Sequence, residues 1–461
     1  MIESFRNIFA IPDLRKRLTF TFLMLAVYRV GCFIPSPGVN SKALLEFIKS
    51  SEGTMLGFVN TFTGGSLSRV AVFALGIMPY ITASIILQLL TVVWPYLEKL
   101  SKEGELGRRK ITQYTRYGTV AISFVQALGI AFFLEKTPTP GGASLVLNPG
   151  WGFRLMIILT LTTGTVFVMW LGEQITERGI GNGISLIIFA GIIVGLPRGV
   201  IDTFNKVRQG TLSPLAIIVL FGFMLVVVAF IVYMERAQRR IPVQYAKRVM
   251  GRKVYGGQST YLPLRVNTGG VIPVIFASSV VMVPTTLGQF FQNSKLAQSI
   301  SDYIRWGQPT YYLLQVIAIV FFSYFYVSII FNPNDLAENM RKYGGFIPGI
   351  RTGKRTAEYI DTVLTRITLV GSLYLAAVTI LPEFLLAGVK VESIPGIGPS
   401  LDAFLPAFIT QGLGINFYFG GTSLLIVIGV AMDFLQQVES QLVMRNYEGF
   451  MKRGRIRGRR A

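Results

Sequence analysis

The chain has 461 residues, 51% of them hydrophobic, with a mean hydropathy of +0.54, a formal net charge of +21, one cysteine and no histidine. Those counts exclude an internal disulfide, a Cys/His metal centre and histidine-based acid–base catalysis. The excess of positive charge calls for anionic partners, either lipid headgroups or nucleic acid.

Apolar runs long enough to span a hydrocarbon core recur along the sequence. They predict ten spans, near 18–34, 70–93, 113–134, 154–173, 181–197, 212–234, 267–290, 311–331, 366–386 and 418–441. In lipid each must be helical unless it lines a cavity, because nothing there satisfies a free backbone group. The fold class expected is therefore an all-α polytopic membrane protein. The first run lies behind Arg15, Lys16 and Arg17 with no small-residue cleavage site after it, so it reads as a span and not as a removable leader. Arg29, inside that run, is expected to snorkel or to meet a neighbouring helix.

Between the first two runs, Leu56–Phe62 is apolar but too short to span, and Thr63-Gly64-Gly65-Ser66-Leu67-Ser68-Arg69 follows it. The glycine pair ends any helix there. A short helix dipping in from outside is expected over about 55–69, then a hinge. Irregular backbone at that depth implies a cavity nearby. Later, Gly179-Ile-Gly181-Asn-Gly183 is expected to cap or hinge the fifth span.

Positive charge gathers on one side of this arrangement: Arg6, Arg15–Arg17, Lys99–Arg116, Arg178 and the tail from Arg445. By the positive-inside rule that side is cytoplasmic and holds both termini. Two loops there are long and strongly basic. Residues 235–266 carry Arg236, Arg239, Arg240, Lys247, Arg248, Arg252, Lys253 and Arg265; residues 332–366 carry Arg341, Lys342, Arg351, Lys354 and Arg355. They serve either orientation alone or the docking of an acidic or RNA-containing partner, which salt would weaken.

An internal repeat joins the halves. Gly76-Ile-Met-Pro79-Tyr-Ile81-Thr-Ala83-Ser84 and Gly270-Val-Ile-Pro273-Val-Ile275-Phe-Ala277-Ser278 share the pattern G-x-x-P-x-I-x-A-S, in spans two and seven. An odd number of spans per copy makes the repeat inverted, and glycine- and proline-interrupted spans at matching positions mark the functional pathway. The organisation expected is an N-terminal half over 1–210, a C-terminal half over 211–444 and a basic tail over 445–461.

Carboxylates fall near span ends (Glu173, Glu235, Asp361, Glu383, Asp433), which argues against the alternative of an ion-coupled secondary transporter. Gly349-Ile-Arg-Thr-Gly353-Lys354-Arg355 lacks the spacing and the Ser/Thr of a phosphate loop. No nucleophile cluster stands out, so no enzyme, cofactor, catalytic residue or metal site is expected.

Ordered motifs over nearly the whole chain resemble the SecY family of protein-conducting channels. They are Gly64-Gly65-Ser-Leu-Ser-Arg69, Phe73–Ser84, Lys102–Lys110, Trp170–Ser185, Glu235-Arg-Ala-Gln-Arg-Arg-Ile241, Gln258-Ser-Thr260, Phe346-Ile-Pro-Gly-Ile-Arg351 and Tyr418–Ile426. The resemblance implies ten helices in two inverted five-helix halves. It implies a lateral gate lined by spans two and three against seven and eight, and a re-entrant plug helix including Phe62, Gly64, Gly65, Leu67, Ser68 and Arg69. An apolar pore ring falls on Ile77, Ile81, Ile184, Ile188, Ile275 and Ile426. Ile77 and Ile81 share a helix face, as do Ile184 and Ile188. Gln88, Gln126 and Ser278 are candidates for the gate, with interhelical hydrogen bonding the alternative for the two glutamines.

The same resemblance implies passage of unfolded secretory chains across a bacterial inner membrane and sideways release of transmembrane segments. Its implied partners are small membrane subunits like SecE and SecG, the SecA motor ATPase, the ribosome, translocating polypeptides and signal peptides, and the lipid bilayer. Arg239, Arg240, Lys247, Arg248, Arg252, Lys253, Arg351, Lys354 and Arg355 match the docking loops. Two departures stand out: a longer external stretch near Val391–Gly414, and an unusually basic tail at Arg453–Arg460 suited to lipid headgroups.

Overall fold

Proline and glycine decide where the helices begin. The computed structural model describes residues 11–40, 44, 60, 63–136, 145–210, 214–245, 248–250, 253–255, 259–290, 303–304, 307–387 and 421–453. Pro12 opens α1 (Pro12–Gly31) at a position where its missing N–H costs nothing. The second helix, α2 (Met78–Val93), starts one residue before Pro79. Trp94 is extended ahead of Pro95, as a residue before proline should be, and the chain bends by 99° into α3 (Pro95–Lys102). Helices α4 (Glu105–Lys136), α5 (Trp151–Arg178), α6 (Gly183–Ile193), α7 (Gly195–Arg208) and α8 (Pro214–Arg236) follow. After strands β1 (Gln238–Tyr245), β2 (Arg248–Met250), β3 (Lys253–Tyr255) and β4 (Ser259–Arg265) come α9 (Ile272–Phe290), α10 (Pro309–Ile330) and α11 (Pro333–Lys342). Strand β5 (Gly345–Phe346), α12 (Lys354–Ala387) and α13 (Gly421–Arg453) complete the order.

Each of the ten expected spans coincides with one of these helices. Among the described residues, seven helical stretches are long and apolar enough to cross a membrane, or eight with the bent pair α2–α3 counted as one span. Two expected boundaries need correction. Spans two and seven were expected from residues 70 and 267, but their helices begin only at Met78 and Ile272. Gly76 (φ 55°) and Gly270 (φ 59°) hold a left-handed conformation that an α-helix cannot contain, so the residues before them run as turns.

The chain divides into two compact units, Met1–Asp202 with Val430–Ala461, and Thr203–Gly429. In the first, α4 packs on α2 and α5, and α5 on α1 and α6. The buried face of α4 is a stripe of small residues one turn apart, Thr115, Thr119, Ser123, Ala127 and Ala131. Small residues let helix backbones approach closely where lipid removes the usual hydrophobic drive. In the second unit α10 packs on α9 and α12.

The two basic loops of this unit are not simple connections, and they add strands to the all-α expectation. Strand β1 pairs antiparallel with β4 over Gln238↔Arg265 to Gln244↔Ser259, and its far end pairs with β5 at Gln244↔Phe346 and Tyr245↔Gly345. Ile241 and Val243 alternate inward and pack with Leu264, Met340, Ile347 and Ile360 in one core. Residues of both loops thus share a sheet and a hydrophobic cluster.

Candidate functional site

The repeat read from the sequence has a geometric counterpart. In both copies a left-handed glycine precedes a helix whose second residue is proline: Gly76 then Pro79 in α2, Gly270 then Pro273 in α9. The Ile81 N–H donates to the Ile77 carbonyl at 3.1 Å, and the Ile275 N–H to the Val271 carbonyl at 3.2 Å. Ile81 and Ile275 therefore occupy one position of a recurring helix entry, and both are buried.

The correspondence runs further than the motif. A Cβ on Gly164 of α5 would stand 2.0 Å from the Val72 carbonyl oxygen, and one on Gly371 of α12 would stand 2.4 Å from the Val266 carbonyl oxygen. Val72 and Val266 each lie four residues before the repeated glycine. Two turns along those same helices, a Cβ on Gly183 would meet the Gly172 carbonyl at 1.9 Å, and one on Gly421 the Thr379 carbonyl at 2.2 Å. In each half a helix thus enters against the backbone of its neighbour through a glycine. By this match Ile188 of α6 corresponds in repeat position to Ile426 of α13, both buried, and half-buried Ile184 corresponds to Thr422.

Of the six isoleucines, Ile77, Ile81, Ile184 and Ile188 belong to the first unit, and Ile275 and Ile426 to the second. A Cβ on Gly429 of α13 would come within 2.5 Å of the Val271 side chain, so the helices bearing Ile275 and Ile426 touch one turn from each.

At the hinge, Gly64 (φ 65°) and Gly65 (φ 81°) turn the chain into a single 3₁₀ turn, Leu67–Arg69. Local hydrogen bonds hold it. Ser66 Oγ reaches the Thr63 carbonyl at 2.8 Å and the Phe73 carbonyl at 2.9 Å, and the Ser68 N–H donates to Asn60 Oδ1 at 2.9 Å. Arg29 meets the hinge itself, a turn and not the neighbouring helix that the sequence offered beside snorkelling. Its Nη1 donates to the Gly64 carbonyl at 2.7 Å, and its guanidinium lies 4.6 Å from the Phe33 ring centre, with that of Arg69 at 4.4 Å. Phe62 and, Asn60 apart, the apolar stretch before it lie outside the described residues, as does Val391–Gly414.

Among the gate candidates, Gln88 donates to Ser84 Oγ at 3.1 Å within its own helix, and Ser278 Oγ donates to the Val274 carbonyl at 2.8 Å. Gln126 is half-buried on α4. In the loops, Arg239, Arg240, Arg351, Lys354 and Arg355 are exposed. Arg248 and Lys253 belong to the hairpin β2–β3, and Lys247 and Arg252 lie outside the described residues. Gly349 (φ 83°) and Gly353 (φ 101°) flank Arg351, whose carbonyl accepts from Thr356 Oγ1 at 2.9 Å at the start of α12. At the fifth span, Gly181 (φ 92°) turns the chain and Asn182 Oδ1 caps α6 by accepting from the Ile184 and Ser185 N–H groups at 3.1 and 3.3 Å.

Sequence reasoning missed the interior position of Glu383. It reads as a carboxylate near a span end, yet it is fully buried and accepts from Thr422 Oγ1 at 3.1 Å. The one available signal was Pro382 beside it, a proline inside a long helix.

Comparison with known proteins gives one answer. The SecY family model matches residues 71–435. The protein translocase subunit SecY of Escherichia coli (strain K12) is 48% identical over 449 residues, covering 97% of this chain and 96% of that one. A solved structure of a protein conducting channel matches with a TM-score of 0.62 at 19% identity, over 93% of this chain and 92% of that one. The structure in which the plug domain of SecY stabilises the closed state of the translocation channel and maintains a membrane seal matches with a TM-score of 0.60 at 20% identity, over the same shares. At those identities the likeness of the two structures is one of fold.

Proposed function

The chain belongs to the SecY family, and from that premise we propose that it is the pore-forming subunit of a bacterial protein translocation channel, sealed at rest by an apolar ring and a plug. It is a multi-pass membrane protein, and its work is passage, not chemistry. Unfolded secretory chains cross it and apolar segments leave it sideways into lipid. The observation that carries this reading is the paired helix entry, which sets an isoleucine at one position of both inverted halves.

An apolar constriction suits the task. Ile77, Ile81, Ile184, Ile188, Ile275 and Ile426 offer ions no ligand, so a narrow ring dewets and blocks them. A passing polypeptide of arbitrary sequence meets no polar trap. The segment ending in Gly64, Gly65, Leu67, Ser68 and Arg69 serves as plug, supported by the hinge at the glycine pair and its tether to Arg29. Gln88, Gln126 and Ser278 serve the lateral gate.

The loop platform serves as the docking face for a ribosome and for a SecA-like motor, with SecE-like and SecG-like subunits beside the channel in the inner membrane. The support is its exposed arginines on a shared sheet, a suitable surface for phosphate or carboxylate. Both termini face the cytoplasm on this reading, since the basic loops do.

The test replaces Cys32, sets a photo-reactive residue at Ile81 or Ile275, and stalls a secretory precursor in transit. Crosslinks to the precursor from both positions, and none from exposed, lipid-facing Val226, are the expected result. Crosslinks only to lipid or neighbouring helices refute the pore.

A further inference from the structure

The ring isoleucines of spans five and ten sit within two turns of a helix start, so whatever holds those starts sets the ring. In the first half the neighbouring helix α5 supplies that hold. Thr176 Oγ1 accepts from the Gly183 N–H at 2.9 Å, in the first turn of α6. The equivalent position in the second half is found through the glycine contacts. Gly172 corresponds to Thr379 and Gly183 to Gly421, which places Glu383 where Thr176 stands, one turn past the touched carbonyl.

Glu383 makes a contact at the matching place, but with the second residue of the helix and with its hydroxyl instead of a backbone N–H. Fully buried on α12, its Oε1 accepts from Thr422 Oγ1 in the first turn of α13. The stronger group has a reason in the sequence. Asn182 caps α6 from its own chain, but the matching residue ahead of Gly421 is a glycine, which has no side chain to cap with. A carboxylate at a helix start also favours the positive end of the helix dipole. Pro382 completes the seat. Without an N–H it leaves the Val378 carbonyl free of its usual partner, and a Cβ on Gly421 would come within 2.3 Å of that oxygen.

We propose that Glu383 and Thr176 are paired positioning residues, which anchor the first turns of the helices carrying Ile426 and Ile184–Ile188 and so keep the ring closed. Glu383 also draws the Thr422 hydroxyl, which holds the repeat position of ring residue Ile184, towards α12. This rests on the ring reading above and deepens it.

The experiment measures resting ion leak through the reconstituted complex, with thermal unfolding as the check on folding. Glu383→Ala and Thr422→Val each remove one hydrogen bond that holds the closed arrangement, and are expected to raise the leak about fivefold. Glu383→Gln keeps an acceptor oxygen and Thr176→Ser keeps the hydroxyl, so both stay near the wild-type leak, whereas Thr176→Val leaks. Ile426→Ser is the control for the ring itself. If Ile426→Ser leaks while folded Glu383→Ala and Thr422→Val remain tight, the anchoring proposal is overturned and the ring stands. If Ile426→Ser is also tight, the ring reading has failed and the proposal with it.

Discussion

Arg29 is a cation inside the first span whose strongest contact is a backbone carbonyl at the hinge. The Arg29→Ala change deletes a 2.7 Å charge-assisted hydrogen bond to the Gly64 carbonyl and a guanidinium 4.6 Å from the Phe33 ring centre. A hydrogen bond to a charged group contributes roughly 1.5–3 kcal/mol net, which shifts a closed-to-open ratio by roughly 10- to 150-fold. Arg69 still lies over Phe33 after the change, and the Ser66 bonds to Thr63 and Phe73 remain. Backbone hydrogen exchange is the suitable assay, because the Gly65 and Ala71 amides donate across the hinge to the Asn60 and Ser66 carbonyls and exchange only when it opens. Both should exchange faster in Arg29→Ala by that factor, while amides in the middle of α4 keep their rates. Arg29→Lys should fall between, since an ammonium can donate to the carbonyl but cannot span ring and carbonyl as a planar fork does. Unchanged exchange at Gly65 and Ala71 in a folded protein would refute the tether.

Three further outcomes follow from the same geometry. Arg351→Glu should abolish binding of ribosomes or motor to membrane-embedded protein without lowering its melting temperature, because the side chain is exposed and the turn is held through its carbonyl; retained binding removes the docking role of that loop. Gly164→Ala and Gly371→Ala each press a methyl onto a carbonyl that cannot rotate away, so each should destabilise by about 1–3 kcal/mol, and a wild-type melting temperature in either would show that the close approach is slack. The buried Thr379 hydroxyl finds no hydrogen-bond partner among the described residues, so Thr379→Val should be neutral or stabilising by about 1 kcal/mol, and a clear loss of stability would mean the hydroxyl is satisfied.

Much of this molecule was legible because membranes impose simple rules. A helix at each of the ten expected spans followed from apolar length, and seven or eight of them, among the described residues, are long and apolar enough to cross a membrane. The hinge followed from Gly64-Gly65, since only glycine adopts those dihedrals freely. The repeat at Gly76 and Gly270 was visible because it preserves side chains as well as backbone. The helix starts were not legible: apolar residues continue through 70–77, so hydropathy extends span two past Gly76, while ahead of span seven Asn267-Thr268-Gly269-Gly270 are turn-forming residues that the expected span took in. The β-sheet escaped for a different reason. Strand β5 has two residues, too few for any periodicity, and is defined only by pairing with β1 across a long sequence separation.

Glu383 shows where reading by type breaks down. By sequence position Glu383 is one of five carboxylates near span ends, with only Pro382 beside it to set it apart from the other four. What distinguishes Glu383 is the entry of α13, which begins 38 residues later and brings the Thr422 hydroxyl to it. The wider repeat has the same character. A glycine resting on a carbonyl constrains one partner to be glycine and leaves the other free, because every residue carries a carbonyl. That is why Gly172 can correspond to Thr379, and Thr176 to Glu383, without a trace in the aligned letters. The two halves share the approach of backbones and the hold on each incoming helix, and the holding group is a hydroxyl in the first and a carboxyl in the second. At the second of these helix starts the residue ahead of Gly421 is a glycine, without the side chain by which Asn182 caps α6, and Glu383 of the neighbouring helix supplies the contact there.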